Sequence, residues 1–174
     1  DTDRALVTLG VKFTVTEPGN ITALKFYKGA ANTGTHTGTL WDASGNPLAS
    51  VTFENESTAG WQIAQLSTPV SVQPGIEYVA SYVAPNGAYS ATPGAFGSAY
   101  TRGPLSVPAS GGVFTYSQGF PSSTSSTDYG VDVVFERGEA VVSLVSTSPA
   151  NAATDVSRTS NLTATFDAAI RDDF

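Results

Sequence analysis

Apolar and polar residues alternate along most of this chain. In residues 6–15, Leu9, Val11, Phe13 and Val15 fall on one side, and Gly10, Lys12 and Thr14 on the other. A period of two is what a half-buried strand requires. The same reading predicts strands at residues 21–27, 35–41, 48–53 and 60–66, with a short edge strand at 69–72, where proline is tolerated. Within them, Leu24 and Phe26 oppose Lys25 and Tyr27, and Leu40 opposes Trp41. Residues 77–84 alternate again. Pro85-Asn86-Gly87 then predicts a tight hairpin with a return strand at 88–91. The pattern lapses over residues 92–112, resumes briefly at 113–116, and lapses in a Ser/Thr-rich loop at 117–128. Residues 129–136 close the series, with Val131, Val133 and Phe135 turned inward. Gly, Pro and Asn punctuate the segments, as in Pro18-Gly19-Asn20 and Gly45-Asn46-Pro47. Short strands at this spacing predict an all-β antiparallel sandwich of jelly-roll type.

The texture changes near Arg137-Gly138-Glu139. Residues 140–146 and 161–166 read as strands around a turn at Ser148-Pro149-Ala150-Asn151, and the only helical candidate is the short stretch 167–174. Only two or three strands fit here, and a two-stranded unit is marginal alone. The expected division is a sandwich module at 1–137, then a linker and the first strands of a truncated second β domain at 138–174. Its unpaired edges offer a route to a dimer.

Composition narrows the function classes. Forty per cent of the 174 residues are hydrophobic, enough for a core, but only 13 per cent are charged. The net charge of −7 disfavours nucleic acid and anionic membrane surfaces as partners. No apolar run approaches the ~18–20 residues that span a bilayer. There are no cysteines, which excludes disulfides and thiolate metal sites. A cysteine-free, acidic chain rich in Thr, Ser and Gly reads as an exported bacterial protein, secreted or held at the cell surface, from which any signal peptide has been removed.

Several runs carry a resemblance. They are Leu9-Gly10-Val11-Lys12-Phe13, the stretch from Ile21 through Tyr27-Lys28-Gly29, Asn32-Thr33-Gly34-Thr35-His36-Thr37-Gly38, Leu40-Trp41, Gly60-Trp61-Gln62, Tyr78-Val79-Ala80-Ser81-Tyr82, Ala84-Pro85-Asn86-Gly87 and the stretch from Tyr129 to Phe135. In this order, over residues 5–136, they resemble a bacterial family known as domain of unknown function 4082. The tail, through Val142-Ser143-Leu144-Val145, Ser148-Pro149-Ala150-Asn151 and Thr163-Ala164-Thr165-Phe166, is similar to the start of a bacterial Ig-like domain. The resemblance implies an accessory module within a large exported protein, beside other domains of the same polypeptide, and supplies no catalytic residue. It also implies a histidine in an Asn-Gly-His-Tyr pattern where this chain has Ala88.

The candidate chemistry is sparse. His36 is the only histidine, so any Ser-His-Asp triad has to use it. Its Thr-His-Thr-Gly setting lacks a nucleophile elbow and suits a hydrogen-bonding residue between loop and strand. A glycosidase needs two carboxyl groups about 5–10 Å apart. Glu54 and Glu56 are placed in a solvated turn, while Asp128 and Asp132 bracket the last strand. Asp42, with Asn46, and Asp128 are candidate calcium ligands, or else turn-capping carboxylates. Trp41 and Trp61 sit in regular strands, which favours core positions. Tyr89, Tyr100, Tyr116, Phe120 and Tyr129 lie in or beside the long loops, with Arg102 the only base between residues 92 and 128. Binding residues concentrate on loops carried by a rigid scaffold. These six are therefore the candidate ligand contacts, or else a cluster that pins the loops. The expectation is a non-catalytic module that binds carbohydrate or a cell-surface polymer. The alternatives are a structural spacer or adhesin stalk without a ligand, and a hydrolase.

Overall fold

The computed structural model describes residues 2–138 and 144–166. It divides into two compact units, Asp1–Gly138 and Glu139–Phe174. The first unit contains strands β1 (Val7–Val15), β2 (Gly19–Lys28), β3 (Thr37–Asp42), β4 (Pro47–Thr52), β5 (Gly60–Val72), β6 (Tyr78–Ala84), β7 (Tyr100–Arg102), β8 (Leu105–Val107), β9 (Gly112–Thr115), β10 (Ser123–Ser125) and β11 (Val131–Arg137).

Two antiparallel sheets form the sandwich. The larger runs β10-β9-β1-β6-β3-β4, with the β7–β8 hairpin attached to β1, and the smaller runs β11-β2-β5. β1 pairs with β6, β2 with β5 and β3 with β4. The first six strands are thus one long hairpin wound over on itself, as in a jelly roll.

Alternation decides what meets between the sheets. Leu9, Val11 and Phe13 of β1, Leu24 and Phe26 of β2, Leu40 of β3, Tyr82 of β6 and Val131 and Val133 of β11 form one buried cluster. Phe26 is its hub, stacked on Tyr82 at 4.2 Å between ring centroids and edge-on to Phe53 at 4.7 Å. The outer face of the larger sheet is partly covered as well. Thr8 Oγ1 donates to the Ser117 carbonyl at 2.6 Å, and Trp41 Nε1 donates to Ser81 Oγ at 2.8 Å.

The structure corrects several expected elements. Residues 60–72 form one strand, interrupted where the register jumps from Gln65 to Val70 opposite Ile21–Ala23 of β2. Pro69 fits because β5 is an edge strand. No strand returns after Pro85-Asn86-Gly87: residues 88–91 are irregular, and both edges of β6 are taken by β1 and β3. The irregular stretch 92–112 contains the β7–β8 hairpin instead.

The second unit contributes a two-stranded hairpin, β12 (Leu144–Ser148) and β13 (Thr163–Phe166). Leu144, Val145 and Leu162 are exposed. The predicted strand start at 140–143 and the helical candidate at 167–174 lie outside the described residues. Among the described residues, no helix is long and apolar enough to cross a membrane.

Candidate functional site

The β7–β8 hairpin builds one wall of a groove. Its three paired positions place Tyr100 opposite Val107, Thr101 opposite Ser106 and Arg102 opposite Leu105. Tyr100 and Arg102 share a face because strand side chains alternate. The hairpin is fixed to β1 through the pairs Thr14–Ser106 and Val15–Leu105, and by the Thr16 N–H donating to the Pro104 carbonyl at 2.9 Å.

The smaller sheet supplies other lining residues. Lys25 of β2 faces Asp132 of β11 across the register, and their side chains form an ion pair of 2.7 Å. The Lys25 ammonium also lies over the Trp61 ring, 5.2 Å from its centroid. Trp61 meets Tyr27 edge-on at 5.6 Å. The groove has a volume of about 550 Å³ and an apolar floor that includes Phe13, Phe96 and Val131. Asp128 stands at its edge, held by paired backbone bonds with Thr92, and its Oδ1 accepts the Gly130 N–H at 2.7 Å. The groove therefore carries two aromatic side chains that are about half exposed, Trp61 at 49% and Tyr100 at 53%. Beside them stand two cations, Lys25 and Arg102, and two carboxylates.

Of the six loop residues singled out from the sequence, only Tyr100 and Arg102 meet in this groove. Tyr89 and Tyr129 are buried and touch edge-on at 5.9 Å, with Phe114 behind Tyr129 at 6.2 Å. Tyr116 is 58% exposed, yet its hydroxyl donates to Asp3 Oδ2 at 2.7 Å. Burial is the main cause that pushes the Tyr89 hydroxyl up to about 12. Tyr116 thus anchors the N-terminal segment, whose Asp3 carbonyl also accepts the Ala88 N–H. Phe120 packs edge-on against Trp41 at 5.7 Å and closes the turn at Gly45.

Residues 1–131 match the model of a family described as Domain of unknown function (DUF4082). The chain belongs to the DUF4082 family. No curated protein and no solved structure matches it.

The remaining chemical candidates of this DUF4082 chain are absorbed into local structure. His36 is fully buried, with Nδ1 against the Glu56 carboxylate at 2.8 Å and Nε2 against Asn32 Oδ1 at 2.9 Å. Burial holds its proton affinity below the ordinary value, while Glu56 pulls the other way. Its ring nitrogens are therefore partnered by an acid and an amide, and no serine is among these partners. Glu56 does not sit in a solvated turn, as its neighbours in sequence suggest. It is largely buried, bonded to His36 and paired with Lys28 at 2.6 Å. Asp42 accepts the N–H groups of Ser44 and Asn46 and the Asn46 side-chain amide, at 2.8 to 2.9 Å. Those bonds, the side-chain amide first, hold its carboxyl below the ordinary range. It caps the turn, and so does Asp128. Among the described residues, no group of three or more His, Cys, Asp or Glu could hold a metal ion.

Sequence reasoning missed Lys25 and Phe96, weighed Asp132 only as a carboxyl partner of Asp128, and favoured a core position for Trp61. The inward side of β5 is set by Gln62, Ala64 and Leu66, which puts Trp61 and Ile63 outside. A buried Gln beside an exposed Trp reverses the usual preference. The reversal is achieved because Gln62 satisfies itself locally, accepting the Ser57 N–H and donating to Ser57 Oγ and the Gly60 carbonyl.

Proposed function

We propose that this DUF4082 domain is a non-catalytic module that holds a carbohydrate or cell-surface polymer in the groove lined by Trp61 and Tyr100. The observation that carries the reading is the pair of half-exposed aromatic side chains lining one groove, with charged groups in the same lining. A sugar ring has a flat C–H face, which stacks on an aromatic ring, and a rim of hydroxyls, which bond to carboxylates and guanidinium. Monomers seldom leave such a patch exposed without use. The setting we propose is a secreted or cell-surface bacterial protein, with residues 138–174 as the first strands of an Ig-like neighbour. The acidic, cysteine-free composition supports that setting.

The absence of catalysis is part of the proposal. The two groove carboxylates are already engaged, Asp132 by Lys25 and Asp128 by the Gly130 N–H. The test is a glycan array with the intact chain beside Trp61→Ala and Tyr100→Ala. Binding that both variants lose supports the module. Silence from the intact chain favours a ligand-free spacer. Reducing sugar released on incubation with a bound polymer, and abolished by Asp128→Asn, would establish a hydrolase.

A further inference from the structure

Resting on the groove as a glycan site, we infer that it selects a neutral polysaccharide over an acidic one. The charges within the groove decide this. Lys25 and Asp132 neutralise each other at 2.7 Å. Of the remaining two charges, Arg102 makes no ion pair within 4 Å among the described residues, and Asp128 offsets it on the same groove. An acidic sugar needs a surplus of positive charge to replace the water around its carboxylate. The groove provides none, and the chain as a whole carries −7. A polyanion is therefore repelled on approach, to a degree that salt screens beyond about 8–10 Å.

A neutral sugar fits the same groups without such a cost. Arg102 supplies several donors in a fixed plane. The free oxygen of Asp128 supplies an acceptor. Ring hydroxyls both accept and donate, so a groove offering both kinds of group can satisfy them. The ion pair has a second effect. With Asp132 holding it, the Lys25 ammonium occupies one face of Trp61, so the sugar stacks on the other. That leaves one face of Trp61 for stacking.

Affinity electrophoresis of the whole chain separates the outcomes. The gels contain a neutral glucan, mannan, galactan or xylan, or polygalacturonate or hyaluronate, each run at about 20 and about 500 mM salt. The expected result is retardation by at least one neutral polymer, unchanged by salt, with no retardation by either acidic one. Trp61→Ala and Arg102→Ala should each weaken it about tenfold, the loss of one stack or one charged hydrogen bond. Tyr116→Phe, outside the groove, should leave it intact. Stronger retardation by the acidic polymers, fading with salt and lost in Arg102→Ala, overturns the inference while the glycan groove stands. Silence towards every polymer overturns the groove reading, and this inference with it.

Discussion

Glu56 makes the most exacting test of the interior. Its carboxylate meets Lys28 Nζ at 2.6 Å through Oε2, and His36 Nδ1 at 2.8 and 2.9 Å through both oxygens. The side chains of Lys28, Glu56 and His36 are 13%, 10% and 0% exposed. Glu56→Ala orphans an ammonium and an imidazole N–H together. Breaking a buried pair costs about 3–5 kcal/mol because the remaining charge stays uncompensated. Lys28 can reach water at the edge of the site, so the lower figure applies, about 3 kcal/mol. For a unit of this size that lowers Tm by ~10 °C. Glu56→Gln keeps the shape and one acceptor, and should recover a part of the loss. Urea denaturation measures both, with a constant slope confirming that the change lies in stability. A loss below about 1 kcal/mol in Glu56→Ala would refute the reasoning, since it would mean water already solvates the triad.

The same site fixes a pH dependence. Burial lowers the proton affinity of His36 in the fold, so the unfolded chain binds more protons as pH falls. Stability is then full above the unfolded histidine value of about 6.5 and is lost as pH drops through the lower folded value. Because His36 is the only histidine, one imidazole resonance reports the titration without ambiguity. A midpoint above about 6.5 would reverse the sign of this argument.

Other consequences are simpler to check. Phe26→Ala removes the ring at the centre of the sandwich and should cost about 3–5 kcal/mol in denaturant unfolding. Gly87→Ala should destabilise by about 1–3 kcal/mol, since Gly87 has φ +60° and a Cβ there would run into the Asp3 carbonyl. Trp61→Ala, outside the core, should shift stability by under about 1 kcal/mol while weakening the proposed polymer binding about tenfold. In ultraviolet titration, Tyr89 should ionise only near about 12. As a raised phenol, it makes the fold weaken as pH climbs past its ordinary value of about 10.

The sandwich was legible because its inner strands obey alternation with few exceptions. Leu9, Val11 and Phe13, or Leu24 and Phe26, leave one choice of inward face. Legibility failed where a backbone irregularity reset the phase. The bulge between Gln65 and Val70 looks, in sequence, like a gap between two strands. It failed again where a residue is defined by its partner. Glu56 lies 20 positions from His36, and Asp132 lies farther still from Lys25, so no local pattern announces either contact. Tyr100 and Arg102 were accessible because they are close in sequence on one short strand. Trp61 was not, because the face it takes is decided by Gln62 turning inward beside it.

The wound hairpin also sets a timetable for the chain. β1 finds no partner until β6 has been made, and β2 gains its second neighbour only with β11, where Val131 pairs with Phe26 roughly a hundred residues later. At synthesis rates of about 5–20 residues per second, that interval lasts about 5–20 s. Pairings so distant in sequence also form slowly once all their parts exist. The nascent chain therefore lacks its complete sandwich for seconds.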